Sequence, residues 1–148
     1  MITARIFGGL GNQLFIYYSA KSLSIKNNCN LIIDHKSGYI NDKYDRKYLL
    51  NQLIYIDKNN YISEKSIYLK KYFFFIRNIN KIINIFLPIK YKYYYKDNSR
   101  YNKNYIKLNK KIYLDSYLQY YNYFNNIKKI INNDFNKLIV KEDNYNIK

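Results

Sequence analysis

The fold is decided by a stretch near the amino terminus, Ile2-Thr3-Ala4-Arg5-Ile6-Phe7-Gly8-Gly9-Leu10-Gly11-Asn12-Gln13. Its first six residues are mostly apolar, as in a buried strand, and the glycines that follow break the strand. Residues 12–26 contain no glycine or proline and mix apolar with small side chains, which predicts a helix lying close to a sheet. The next run, Leu31-Ile32-Ile33-Asp34, predicts a second buried strand that ends in an acid. A strand, a helix and a strand in this order indicate a parallel pair joined by a right-handed crossover.

The periodic segments farther along the chain extend this pattern. One helical stripe is formed by Ile76, Ile79, Ile82, Ile83, Phe86 and Leu87 and stops at Pro88. A second stripe runs from Tyr120 to Leu138, and residues 112–114 form a short apolar strand closed by Asp115. We interpret both stripes as facing the core, whereas residues 35–66 and 89–111 show no clear period. The predicted fold class is α/β, with a Rossmann-like parallel sheet and flanking helices.

The composition is that of one globular domain. The chain has 148 residues, of which 48% are hydrophobic and 20% aromatic, so a disordered tail is excluded. Its single cysteine, Cys29, cannot form an internal disulfide. With one histidine, His35, which we expect in a solvated loop, a His/Cys metal cluster is not expected either.

The charge is strongly basic, with Lys+Arg 26 against Asp+Glu 10 and a formal net charge of +16. Clustered cations bind phosphate backbones, and tyrosines in the run Tyr91-Lys92-Tyr93-Tyr94-Tyr95-Lys96 could stack on bases. One alternative function is therefore a basic, tyrosine-rich binding module for RNA or another polyanion. Genome bias offers a rival explanation, because Asn, Lys, Ile and Tyr dominate the chain and have AT-rich codons. Nucleic acid is accordingly the less favoured partner.

No targeting segment is recognisable in the sequence. The most apolar stretch, residues 72–89, is interrupted by polar and basic side chains, and a spanning helix needs about 20 mostly apolar residues. We therefore expect no signal peptide and no transmembrane helix. The expected location is the cytoplasm, with peripheral association at a membrane surface as an open alternative.

The glycine loop is the sharpest chemical feature. Glycines between a strand and a helix let the backbone approach a phosphate, and the helix amino terminus attracts an anion. Asp34 ends the next predicted strand, where a dinucleotide fold would hold a ribose hydroxyl. Leu14 replaces the third glycine of that fingerprint, and no Walker lysine follows Gly11. A nucleotide-dependent oxidoreductase is therefore a weak alternative, whereas the amides of Asn12 and Gln13 suit a polar ligand.

Three segments resemble the family 11 glycosyltransferases, the α-1,2-fucosyltransferases. The first is Arg5-Ile6-Phe7-Gly8-Gly9-Leu10-Gly11-Asn12-Gln13-Leu14-Phe15-Ile16-Tyr17, which is similar to the family's opening strand, Gly-Gly-Leu-Gly-Asn-Gln loop and aromatic helix. The second is Tyr113-Leu114-Asp115-Ser116-Tyr117-Leu118-Gln119-Tyr120-Tyr121-Asn122-Tyr123-Phe124, although Ser116 stands where the family usually has glycine. The third and weakest is Arg46-Lys47-Tyr48-Leu49-Leu50. Below, these are called the first, second and third family segments.

The resemblance implies a two-domain GT-B glycosyltransferase with facing Rossmann-like halves. Residues 1–148 would be its acceptor-side domain, and the donor-binding domain, with a His-x-Arg-Arg-x-Asp motif, would be missing. The implied reaction moves L-fucose from GDP-fucose to a galactoside hydroxyl with inversion and without a metal or other cofactor. The resemblance names no catalytic base in this chain. The expected substrate-binding residues are Gly9, Gly11, Asn12, Gln13, Gln119 and Asp34.

Two expectations concern the chain by itself. Stabilisation of a leaving pyrophosphate by arginine is worth on the order of 10³-fold or more in rate. Without a second domain to supply it, residues 1–148 are expected to be catalytically silent. Uncovered apolar surface should also make them poorly soluble.

Overall fold

The computed structural model describes residues 1–63, 73–96 and 100–145. In these ranges the strands are β1 (Ile2–Arg5), β2 (Leu31–Asp34), β3 (Tyr94–Tyr95) and β4 (Ile112–Leu114). The α-helices are α1 (Leu10–Lys26), α2 (Leu50–Leu53), α3 (Phe73–Phe86) and α4 (Lys128–Tyr145). Short 3₁₀ turns lie at Lys58–Asn60, Ile89–Tyr91, Lys103–Lys107, Tyr121–Tyr123 and Asn125–Ile127.

The strands form one parallel sheet in the order β2-β1-β4-β3. Ile2 of β1 is in register with Leu31 of β2 on one side and Ile112 of β4 on the other. The predicted strand–helix–strand unit and the α/β, Rossmann-like class are thus confirmed. The chain leaves β1 to form β2 on one side of it, whereas β4 pairs with β1 on the other side. Sheets of this kind bind ligands where the strand order reverses, which here is between the carboxyl ends of β1 and β4.

Helix α1 lies close to the sheet because its inner face is built from small residues. Ser19 and Ala20 are fully buried, and Ser22 is nearly so. Ile16 and Leu23 fill the space around them and contact the core formed by the apolar residues of β1. Ala20 belongs to the same core, whereas the Ser19 and Ser22 hydroxyls donate to the Leu118 carbonyl and to Asn126, so these small side chains bring α1 close to the segment after β4.

The prediction that the stripe of α3 faces the core is wrong. Within that stripe Ile79, Ile82, Ile83 and Phe86 are 40–81% exposed. Leu87 is half-buried, and the side chain of Ile76 lies outside the described residues. Asn80, which lies outside this exposed arc, is half-buried and accepts a hydrogen bond from the Tyr93 hydroxyl at 3.0 Å. A helical period shows that a helix is amphipathic but does not say which face meets the protein.

The second stripe is only partly core-facing. Tyr123, Phe124 and Ile127 are buried, but they lie in 3₁₀ turns and the intervening turn, before α4 begins at Lys128. Farther along, Phe135 is exposed. Helix α4 then continues to Tyr145.

Strand β3 was not predicted, because it is two residues long and made of tyrosine alone. Tyr94 and Tyr95 are buried, and the Tyr94 ring stacks on Tyr113 with centroids 6.1 Å apart. Of the tyrosines proposed to stack on bases, Tyr91 and Tyr93 remain exposed. Two of the four tyrosines of that tract are therefore part of the sheet.

Candidate functional site

The loops that follow β1 and β4 meet at the carboxyl edge of the sheet. The rings of Phe7 and Tyr117 are 4.5 Å apart between centroids. Beyond them the Gln119 side-chain amide donates to Asn12 Oδ1 at 2.6 Å. Two segments more than 100 residues apart in sequence, the first and second family segments, thus form one surface.

Gly8 shapes the first loop. Its φ is +81°, and a Cβ there would lie 2.8 Å from Asn12 Nδ2 and 3.2 Å from a ring carbon of Tyr117. A side chain at this position would therefore be strained and would push the two loops apart. At Gly9 and Gly11, by contrast, a Cβ would meet no atom within 4 Å. These two predicted binding residues border open space at the start of α1.

Leu118 turns the second loop. Its backbone adopts a left-handed conformation, with φ +52°, although its side chain is buried. Its carbonyl accepts hydrogen bonds from the Ser19 hydroxyl at 3.3 Å and from the Tyr120 amide at 2.9 Å. A bulky residue in this region costs on the order of 1–3 kcal/mol and persists where its surroundings hold it. Leu118 is flanked by Tyr117 and Gln119, the two residues of this loop that contact the first.

Gln13 is fully buried and does not face the open side of the loops. Its amide nitrogen donates to the Gly8 carbonyl at 3.0 Å and to the Lys47 carbonyl at 2.9 Å. Its oxygen accepts from the backbone amides of Leu49 at 2.9 Å and Leu50 at 3.1 Å. All the hydrogen-bonding capacity of the side chain is used inside the protein. Gln13 therefore attaches the third family segment to the glycine loop.

Asp34 is also enclosed. Its carboxylate accepts from the Ser37 hydroxyl at 2.5 Å, the Ser37 amide at 2.9 Å and the Tyr113 hydroxyl at 2.6 Å. Burial, together with this neighbouring carboxylate, raises the pKa of Tyr113 far above its ordinary value. The structure thus places Asp34 in a buried network under the loops, 0% exposed, and apart from the surface formed by Asn12 and Gln119.

Arg5 completes this network and was not among the predicted site residues. Its guanidinium donates to Asp115 Oδ1 at 2.9 Å, to the Ser37 hydroxyl at 3.1 Å and to the Ser37 carbonyl at 3.0 Å. Asp115 also accepts a hydrogen bond from the Tyr94 hydroxyl. A sequence signal for this cluster does exist. Arg5, Asp34 and Asp115 end or directly follow three apolar strands, and the carboxyl ends of parallel strands converge at one edge.

Arg46, in the third family segment, is held by Asp42. Its guanidinium contacts both carboxylate oxygens at 2.6–3.0 Å and lies 4.8 Å from the centre of the Tyr44 ring. These hydrogen bonds, led by the side-chain pair, hold the pKa of Asp42 well below its usual range. They raise the pKa of Arg46, with a smaller electrostatic contribution from Tyr117. The guanidinium is thus already paired with an acid beside the loops.

His35 is half-buried instead of solvated. Its ring lies 4.9 Å from that of Tyr61 and 5.5 Å from that of Tyr48, measured between centroids. Cys29 is partly buried beside Lys110, with its sulfur 3.9 Å from the Lys110 carbonyl. The neighbours of His35 are thus aromatic rings, and that of Cys29 is a backbone carbonyl.

The surface formed by the two loops suits a polar, uncharged ligand. Asn12 and Gln119 present amide donors and acceptors beside an aromatic pair and two glycines without side chains. Among the described residues, no cluster of three His, Cys, Asp or Glu side chains could hold a metal ion. Over the same residues, none of the helices has the length and apolarity needed to cross a bilayer.

Comparison with protein-family models, with curated proteins and with solved structures found no match to this chain.

Proposed function

We propose that this chain is the acceptor-side domain of an inverting glycosyltransferase of the α-1,2-fucosyltransferase type. The observation that carries the proposal is the convergence of the three family segments. Gln13 of the first segment binds the backbone of the third at Lys47, Leu49 and Leu50. Asn12 of the first segment accepts a hydrogen bond from Gln119 of the second. Segments chosen by resemblance alone thus meet at one edge of the sheet.

In this proposal Asn12 and Gln119 bind hydroxyl groups of a β-galactoside. Each side-chain amide both donates and accepts, which matches the hydrogen-bonding character of a sugar hydroxyl. Gly9 and Gly11 leave room for the ligand next to the backbone, since a Cβ at either position would project into open space. Tyr117 is partly exposed at the same edge and offers an apolar surface to the sugar ring.

Gln13, Asp34 and Arg5 act as positioning residues. Gln13 donates to the Gly8 carbonyl in the first loop, and Arg5 donates to Asp115 at the start of the second. Asp34 accepts from the Tyr113 hydroxyl in β4, the strand that leads into the second loop. Binding residues hold a productive geometry only when their supporting contacts are rigid. Gln13 and Asp34 accordingly keep a place in the site, although they do not contact the ligand.

Transfer itself requires more than this edge. The acceptor oxygen forms a bond to C1 of fucose while the bond from C1 to the GDP oxygen breaks, so the configuration at C1 inverts. GDP leaves with the electron pair, and a general base takes the hydroxyl proton. The leaving pyrophosphate needs cations, but Arg5 and Arg46 are bound by Asp115 and Asp42. A facing, arginine-bearing domain, as in a GT-B enzyme, would supply that charge.

The test is a transfer assay with GDP-fucose and a β-galactoside. Residues 1–148 are assayed alone and within a protein extended past Lys148 by its own downstream coding sequence. We expect transfer from the extended protein only, with a large loss in the Asn12→Ala and Gln119→Ala variants. Gln52→Ala and Asn132→Ala remove exposed amides on α2 and α4 and should leave transfer unchanged. No transfer by the extended protein, or equal rates in all four variants, would refute the proposal.

A further inference from the structure

The outer face of α3 is an apolar surface that nothing in the described protein covers. Phe75, Ile79, Ile82, Ile83 and Phe86 are all exposed, with Phe86 at 81% and Phe75 at 71%. At 3.6 residues per turn, these five side chains lie within an arc of about 100°. They therefore form one continuous stripe along the helix, which we call the α3 face.

The helix contacts the protein on the side that carries Asn80. α3 packs along β3, and Asn80, which lies outside the apolar arc, accepts the hydrogen bond from Tyr93. An amphipathic helix of a globular protein normally turns its apolar stripe inward. Here the stripe is exposed, so it is available to another surface.

The charge of the segment that contains α3 favours one kind of partner, and Lys90 and Lys96 of this segment are exposed just after the helix. Residues 65–96, which include α3, contain eight lysines or arginines and no aspartate or glutamate. A partner that is both apolar and negatively charged would match this segment best. A second copy of the chain would bring two cationic segments together, and a nucleic acid would leave the phenylalanine and isoleucine side chains in water. An anionic lipid bilayer satisfies both requirements, because headgroups pair with the cations while acyl chains cover the apolar stripe.

We propose that the α3 face docks this protein on the surface of an anionic membrane. The helix lies in the plane of the interface, with its apolar stripe about 5–10 Å into the boundary between headgroups and acyl chains. Tyr91 is exposed just beyond α3 and suits the headgroup level, where aromatic rings with polar ends collect. This inference uses no residue of the carboxyl-edge site and does not depend on the proposed transferase activity.

Vesicle sedimentation tests the proposal. The chain is mixed with vesicles of phosphatidylcholine, with or without phosphatidylglycerol, at low and high salt. We expect binding that requires the anionic lipid and falls as salt rises. The double variant Ile82→Glu/Phe86→Glu should reduce binding by at least about tenfold. Its control, Ile40→Glu/Tyr55→Glu, makes the same change in charge at exposed apolar side chains elsewhere and should lose far less.

A fluorescent variant gives a second readout that does not disrupt the stripe. The chain has no tryptophan, so Phe86→Trp introduces a unique fluorophore on the α3 face. Its emission should shift to the blue with anionic vesicles and be quenched by brominated lipids, whereas Tyr55→Trp should not respond. Three results would overturn the proposal. They are equal vesicle binding by the two double variants, binding without anionic lipid, and a lipid-free dimer that Ile82→Glu/Phe86→Glu converts to a monomer.

Discussion

Replacing Gln13 tests whether its buried amide stabilises the fold. In Gln13→Ala, the Gly8 carbonyl and the Leu50 amide lose the hydrogen bonds that they make with the Gln13 side chain, and both of these bonds are buried. Each buried group without a hydrogen bond costs about 1–3 kcal/mol, and the missing side chain leaves a cavity as well. We expect the free energy of unfolding to fall by about 3–5 kcal/mol.

Gln13→Glu keeps the shape of the side chain and changes only the hydrogen bonding. The introduced carboxyl can still accept from the Leu49 and Leu50 amides, but when ionised it faces the Gly8 and Lys47 carbonyls without a proton. Its folded pKa should therefore lie above the unfolded value of about 4.3. A group with a raised folded pKa loses stability as pH rises, so this variant should lose about 1.4 kcal/mol per pH unit above 4.3 until its folded pKa is reached.

The assay is urea denaturation of wild type and both variants between pH 4 and pH 8, at low protein concentration because the α3 face favours aggregation. Gln52→Ala and Gln52→Glu, on the exposed side of α2, are the matched controls and should shift the free energy of unfolding little. If Gln13→Glu is as stable as wild type at neutral pH and has the same pH dependence, the amide does not hold these segments together as described here.

Further predictions concern the loops, the core and the edge network. Gly8→Ala should lower the free energy of unfolding by about 1–2 kcal/mol or more, because its φ is +81°. Gly11→Ala should raise the free energy of unfolding by up to about 1 kcal/mol, since Gly11 lies in a helix and the added methyl meets no atom within 4 Å. Chemical denaturation compares the two variants. A Gly11→Ala protein less stable than wild type would show that the space beside Gly11 is not open. Burial, with a smaller effect of the Asp134 charge, raises the pKa of Tyr17 to about 12. As pH rises, the unfolded chain therefore loses the Tyr17 proton before the folded protein does, and the free energy of unfolding should fall between pH 10 and pH 12. Thermal melting followed by circular dichroism should show a shallower fall in Tyr17→Phe. Arg5→Lys keeps the charge but not the planar guanidinium that contacts Ser37 and Asp115, and it should lower the free energy of unfolding by about 1–3 kcal/mol. An unchanged midpoint of urea denaturation would show that a positive charge alone is enough at this position.

The sequence predicts the central strands and α1 because their patterns are local. An apolar run, a glycine break and a helix without proline are visible within the first 34 residues, and the sheet pairs as expected. The burial of Gln13 could not be predicted in the same way. Its partners are the backbone groups of residues 47–50, and no side-chain pattern encodes a contact between an amide and a distant backbone.

The error on α3 has a different physical origin. Its apolar period is real, and the helix forms where expected. Whether a stripe meets the sheet or the solvent depends on how the flanking chain approaches β3, a strand of two residues with no alternating pattern of its own. Local periodicity therefore predicts the helix but cannot choose its orientation.

The central claim is that the loops after β1 and β4 form a site for a galactoside, and a titration followed by nuclear magnetic resonance tests it most directly. Lactose is added to the ¹⁵N-labelled chain while the side-chain amides of Asn12, Gln119 and Gln13 are monitored, each assigned from its alanine variant. Saturable shifts are predicted for Asn12 and Gln119, with little change at the enclosed Gln13. Those shifts should disappear in Gly11→Trp, which fills the open space beside the loop. Amides of Asn12 and Gln119 that stay unmoved at saturating lactose, or that move equally in Gly11→Trp, would contradict the account.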